Sequence, residues 1–279
     1  MKPLVAIVAQ GTMASGLAAR LGQHGVRVRT LLSGRSSASQ ARAAAAGMQA
    51  ASICELLEAD ILLSVLPPAL AGKFAADLAP ALRAAPNKPL YVDLNAISPA
   101  SARSIAEVVR SAGATFVDGG IIGMPPKQDY AGPHLYVSGA GASPLLALRE
   151  FGLDIRVLNG DVGDASGLKM AYAGITKGFT AVATAMILSA THARLAPALK
   201  SELAESEPVL YAALSRRIPD MLAKAYRWID ELRQIQQFAT EGGAQGDLFG
   251  GAAQLYEQIA RDFEGPRRDA QALRKFFAD

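Results

Sequence analysis

One cysteine in 279 residues, Cys54, excludes a disulfide framework and any zinc site built from cysteines. The three histidines, His24, His134 and His192, lack metal-ligand spacing, and no carboxylate cluster accompanies them, so no metal is expected. Aromatic residues are only 6% of the chain and the net charge is only +3, which together argue against a nucleic-acid binder. The longest hydrophobic run, Gly178 to Ala190, is broken by Thr180 and Thr184 and falls short of the roughly 18 residues of a membrane span. No signal-peptide pattern opens the chain, so a cytoplasmic protein is expected. Charged residues are scarce at 19% beside 51% hydrophobic, a balance that builds a core and excludes general disorder. Acids are missing altogether from Met1 to Cys54, a stretch that holds Lys2, Arg20, Arg27, Arg29, Arg35 and Arg42. That part of the molecule is suited to meet negative charge. Cys54 itself is expected as a small buried residue.

Through the first 160 residues, short apolar runs alternate with helical patterns. Leu4–Val8, Val26–Leu32, Ile61–Val65, Leu90–Leu94, Thr115–Val117, Leu135–Val137 and Ile155–Leu158 read as strands. Between them Ala14–Gly22, Ala38–Ala46, Ala69–Leu82 and Ser98–Ala112 read as helices. The last has Ser98 as N-cap, Pro99 at the first helical position and Gly113 past its end. Buried strands alternating with helices imply a parallel sheet covered on both faces. After about Gly160 the strand signals stop. Asp164 to about Leu195 reads as one long apolar helix closed by Pro197. Further helical segments follow at Ser201–Ser215, Ile218–Phe238 and Phe249–Phe263, with a short last one. The expectation is an α/β Rossmann-type parallel-sheet domain over 1–160 and an all-α domain over 161–279, meeting near Asn159–Gly163.

Ala9-Gln10-Gly11-Thr12-Met13-Ala14 follows the first strand and opens the first helix. It is the dinucleotide fingerprint G-x-G-x-x-G/A with Ala9 in place of the first glycine. Gly11 lets the backbone approach a pyrophosphate, Ala14 allows close helix–strand packing, and the helix start offers N–H donors and a favourable dipole. An NAD site holds its ribose with an Asp or Glu at the end of the second strand. Here that position reads Leu32-Ser33-Gly34-Arg35-Ser36-Ser37, and no carboxylate side chain precedes Glu55. Arg35, helped by the hydroxyls of Ser33 and Ser36, suits a 2′-phosphate, so NADP is the expected cofactor.

Five stretches then carry a resemblance. They are Ala9–Ala18, Ser64-Val-Leu66-Pro67-Pro68, Val92-Asp-Leu-Asn95-Ala-Ile-Ser98-Pro99, Phe116–Gly123 and Gly163-Asp-Ala-Ser-Gly-Leu-Lys169. In this order they resemble the β-hydroxyacid dehydrogenase superfamily, whose members include 3-hydroxyisobutyrate and 6-phosphogluconate dehydrogenases. Leu168–Gly178 and Ala225–Glu231 resemble the helical domain of its poorly characterised, 6-phosphogluconate-dehydrogenase-like members. Two departures stand out: the usual Ser-Gly-Gly motif is Ile122-Gly123-Met124, and the Asn one turn after the lysine is Ala173. Both remove polar substrate contacts.

The resemblance implies hydride transfer between nicotinamide and the alcohol or keto carbon of a small β-hydroxy acid or related compound, with decarboxylation open to a β-keto product. It implies Lys169 as the proton-transferring residue. That lysine stands early in the long helix among small and apolar neighbours, and Lys177 is turned to another helix face. Cofactor contacts are expected from Ala9, Gln10, Gly11, Thr12, Met13, Ser33, Arg35, Ser36, Leu66, Pro67 and Asn95. Substrate contacts are expected from Asn95, Ser98, Ile122, Gly123, Tyr172 and Lys177, with Trp228 and Glu231 as further lining residues. A small carboxylate substrate and a homodimer packed around the long helix follow from the same resemblance. Imine reduction is an alternative that Lys169 argues against, and a non-catalytic NADP-binding sensor is another.

Overall fold

The computed structural model describes residues 2–127 and 129–278. Eight strands form one sheet in the order β3-β2-β1-β4-β5-β6-β7-β8. They are β1 (Leu4–Val8), β2 (Arg27–Thr30), β3 (Gln49–Ala50), β4 (Ile61–Ser64), β5 (Leu90–Asp93), β6 (Phe116–Ile122), β7 (His134–Ser138) and β8 (Asp154–Val157). Alternate residues of β1 serve the two faces. Val5 and Ile7 join Ala14, Leu17, Ala18 and Leu21 of α1 (Thr12–Gln23) in one core layer. Ala6 and Val8 join the apolar faces of α4 (Pro68–Ala84) and α5 (Pro99–Ser111) in the other. The order of strands reverses at β1, so the carboxyl ends of β1 and β4 flank the switch point where open α/β sheets take ligands.

Every neighbouring pair is parallel except β6–β7. The expected all-parallel sheet is corrected at that point. Among the described residues between these strands, 123–127 and 129–133, there is no helix of the kind that usually carries a parallel crossover. Three short elements escaped the sequence reading: β3, α3 (Ile53–Leu57) and a 3-10 helix at Ser143–Phe151. A two-residue strand has no readable period, but α3 opens with a Ser52/Glu55 capping box that the sequence does display. Cys54 lies on α3 and is exposed, contrary to expectation, because this short helix buries only Leu56 and Leu57.

The helical part begins with α6 (Asp164–His192) and continues through α7 (Ala196–Ser206), α8 (Pro208–Leu222), α9 (Ala225–Glu241), α10 (Asp247–Glu264) and α11 (Arg268–Phe277). Pro197 does not close α6 but sits in the first turn of α7, and Pro208 opens α8. Proline is at home there, since its missing N–H would be unbonded anyway. The chain divides into compact units Met1–Met170 and Ala171–Asp279, so the division falls inside α6, after the Asn159–Gly163 loop. By length and composition α6 could cross a membrane, contrary to the expectation from the Gly178–Ala190 run alone, and 44% of its most apolar window is buried. In the second unit a Cβ at Gly174 or Gly178 would come within 3.3 or 3.1 Å of the Phe249 ring of α10. Those two glycines let α6 lie close to its neighbour, as in a core helix.

Candidate cofactor and catalytic site

The fingerprint loop occupies the carboxyl end of β1. Ala9 holds φ of +82°, the left-handed conformation that a glycine adopts freely and that costs alanine about 1–2 kcal/mol. The buried side chain of Gln10 donates to Thr30 Oγ1 (2.6 Å) and to the Leu31 carbonyl (2.9 Å), which fastens the loop to the end of β2. Gly11 precedes α1 with no side-chain cap, and a Cβ on it would meet nothing within 4 Å. Gly11 and Thr12 are both exposed, and the opening N–H groups of α1 have no intrahelical acceptor and no side-chain cap. These residues fit a pyrophosphate.

Beyond β2, Ser33 and Ser36 are exposed, and Ser36 caps α2 (Ser37–Ala45) by accepting from the Ser39 N–H. Among the described residues no carboxylate pairs with Arg35. The first acids of the chain are engaged elsewhere: Glu55 accepts from Ser52, and Glu58 pairs with Arg29 at 2.7 Å. Sequence reasoning noted Arg42 only as part of a basic stretch. Its Nε donates to the Gln10 carbonyl at 2.7 Å.

At the next two strand ends the Asn95 side chain is buried and committed. Its Oδ1 accepts from the Leu66 N–H (2.5 Å) and its Nδ2 donates to Ser64 Oγ (3.0 Å). Asn95 therefore shapes the Leu66–Pro67 turn. Ser98 is buried and caps α5 through the Ser101 N–H. Beneath Asn95 lies Asp93, whose Oδ1 accepts from the Asn95 N–H and whose Oδ2 has no partner among the described residues. Burial pushes this carboxyl up to about 7, with the nearby Asp118 charge adding to the effect.

A pH dependence of stability follows. The unfolded chain releases this proton near 3.8, whereas the folded chain holds it to about 7. Stability from this group is thus full below pH 4, declines between the two values and is lost above pH 7. Asp93→Asn is expected to flatten that decline and to raise stability at pH 8 by about 1–3 kcal/mol, the unpaired new amide offsetting part of the gain. Thermal unfolding at pH 5 and pH 8 checks it; a variant less stable than wild type at pH 8 counts against it.

The end of β6 carries the start of α6. Asp118 is fully buried and accepts from the Gly163 N–H (3.0 Å), the Ser166 N–H (2.9 Å), Ser166 Oγ (2.5 Å) and Ser138 Oγ (3.2 Å). A carboxylate at a helix N-terminus also meets the positive end of the helix dipole. Gly120 permits the closest approach: a Cβ there would stand 2.8 Å from both the Ala165 carbonyl and Lys169 Cβ. Lys169 is half-buried against this strand, while Ile122 is half-buried and Gly123 exposed just beyond.

Tyr172 and Lys177 fall in the second unit. Tyr172 is exposed. Lys177 forms a mostly buried ion pair with Glu231, and its Nζ lies 5.0 Å from the Trp228 ring centroid. Trp228 meets Tyr256 edge-to-face, and the Tyr256 hydroxyl donates to the Lys177 carbonyl (2.8 Å). The sequence reading had Lys177 and Glu231 as separate lining residues; the fold makes them one pair.

A glycine-gated helix start at the switch point, on a sheet that also seats the start of the lysine-bearing helix, defines a dinucleotide-binding domain of the Rossmann class. The chain belongs to the family of the NAD-binding domain of 6-phosphogluconate dehydrogenase, whose model matches residues 4–144, and through it to the β-hydroxyacid dehydrogenase superfamily. A domain of unknown function (DUF1932) matches residues 190–259. An uncharacterised 28.5 kDa protein of Methanothermus fervidus is 30% identical over 152 residues, which are 54% of this chain and 58% of that one. The match thus spans little more than half the length of that relative. Among solved structures, 3-hydroxyisobutyrate dehydrogenase of Mycobacterium tuberculosis with L-serine has a TM-score of 0.73 at 20% identity, covering 100% of each chain. An imine reductase of Myxococcus stipitatus in complex with NADP+ has a TM-score of 0.55 at 19% identity, covering 99% of this chain and 100% of that one. At such identities these two describe the fold.

Proposed function

We propose that the protein is an NADP-dependent dehydrogenase acting on the alcohol or keto carbon of a small β-hydroxy acid or related compound. The observation that carries this reading is the seat of Lys169 on Gly120, in the unit that also bears the fingerprint loop. A bound nicotinamide supplies or accepts the hydride. Lys169 passes the proton to or from the substrate oxygen. Gly11, Thr12 and Met13 hold the pyrophosphate at the α1 start, Arg35 with Ser33 and Ser36 meets the 2′-phosphate, and Ile122 and Gly123 border the substrate. Steady-state assays with NADP+ or NADPH across β-hydroxy acids, their keto forms and cyclic imines test it. Turnover of a hydroxy or keto acid is expected; tight NADPH binding with no turnover across the panel overturns it in favour of a non-catalytic sensor.

The cofactor choice has its own test. NADPH is expected to bind well ahead of NADH, and Arg35→Ala should remove about 10- to 150-fold of that preference, the worth of a charge-assisted contact. Equal wild-type affinities for the two cofactors rule this out.

A homodimer is part of the same reading. Tyr172, Ile175, Phe179, Val182 and Met186 recur on α6 at alternating spacings of three and four and are between 40% and 74% exposed. Such spacing forms an apolar seam that suits a second helix. Light scattering should give about twice the 29.1 kDa chain mass, and a folded monomer at micromolar concentration contradicts the dimer.

A further inference from the structure

Arg42 stands three residues after Ser39 on α2, on the same face of that helix. Its guanidinium rests on two neutral acceptors: Nε on the Gln10 carbonyl (2.7 Å) and Nη2 on Ser39 Oγ (3.0 Å). Ser39 Oγ is in turn 3.2 Å from Ser36 Oγ, the cap of α2. Arg42 thus closes a hydrogen-bonded chain from the loop after β2 to the fingerprint loop. Gln10 is pinned on its other side by its amide bonds to Thr30 and Leu31.

The charges around this chain are not balanced. Among the described residues neither Arg42 nor Arg35 pairs with a carboxylate, whereas Arg29 is neutralised by Glu58. Two unbalanced guanidiniums, two serine hydroxyls and the positive end of α2 are the donor set of a doubly charged phosphomonoester, more than the single ribose hydroxyl of NAD would use. A guanidinium held at Nε and at one Nη position keeps its remaining N–H groups for a further acceptor.

We propose that Arg42 is a specificity-determining residue that meets the adenosine 2′-phosphate together with Arg35. This rests on the NADP reading above. The decisive measurement is calorimetric binding of two probes, 2′,5′-ADP and 5′-AMP, to the intact wild-type protein and to Arg35→Ala, Arg42→Ala and Arg42→Lys. Arg42→Ala is expected to weaken 2′,5′-ADP about 10- to 150-fold and to leave 5′-AMP nearly unchanged. Arg42→Lys keeps the charge without the fork and should fall between; it carries the test if the alanine variant fails to fold. Equal losses on both probes make Arg42 a prop for the loop and overturn the proposal, as does no loss on either. Failure of the NADP reading itself is seen separately, as a wild type that binds the two probes equally well.

Discussion

Lys169→Met is expected to lower turnover by about 10²–10⁴-fold, the contribution that a positioned general acid or base typically makes. Methionine keeps the length and apolar character of the stem packed on Gly120, and the change removes the transferable proton and the charge. NADPH affinity should survive, because the fingerprint loop, Arg35 and Arg42 lie on other segments of the chain, at the start of α1, in the loop after β2 and on α2. Lys177→Met provides the contrast. It leaves the Glu231 carboxylate buried without its ion-pair lysine, so it should act first on stability, by about 3–5 kcal/mol. Stopped-flow turnover, fluorescence titration of NADPH and urea unfolding separate the two variants. Near-wild-type turnover in Lys169→Met would falsify the assignment of the proton to this lysine.

Asp118→Ala should be the most destabilising single change outside the apolar core, by about 4 kcal/mol or more. It strands the N–H groups of Gly163 and Ser166 and the hydroxyls of Ser166 and Ser138, all of which the carboxylate now accepts. Each buried donor left without a partner costs about 1–3 kcal/mol, and losses above 4–5 kcal/mol are confined to a few mechanisms of this kind. Asp118→Asn keeps one acceptor oxygen and should cost less. Amide hydrogen exchange should quicken at the α6 start in the alanine variant, since these bonds tie that helix to β6. An alanine variant within 1 kcal/mol of wild type in urea unfolding excludes this role.

The fingerprint loop was legible because its signals are local. A strand, a small-residue turn and a helix start follow one another within Leu4–Ala14, and their chemistry does not depend on distant residues. The missing acid before Glu55 is equally local, and it set the expectation of Arg35 in the place of a carboxylate. Other parts of the site were opaque for a definite reason. Arg42 reaches Gln10 across 32 positions, and Asp118 reaches Ser166 across 48. Nothing in the spacing of either residue announces its partner.

By itself the sequence determined the alternation of strands and helices, the Rossmann-type sheet and its helical sequel, the fingerprint, and the long apolar helix that carries Lys169. These depend on period, capping and turn chemistry, which act over a few residues. Only the tertiary structure decided that β7 turns back against β6, that Asn95 spends its amide on the Leu66 turn, that Lys177 and Glu231 are one ion pair, and that Asp118 and Gly120 seat the start of α6. Those outcomes depend on which buried donor finds which acceptor and where a missing Cβ lets two backbones meet. Packing settles both across the whole chain, and no local pattern records them.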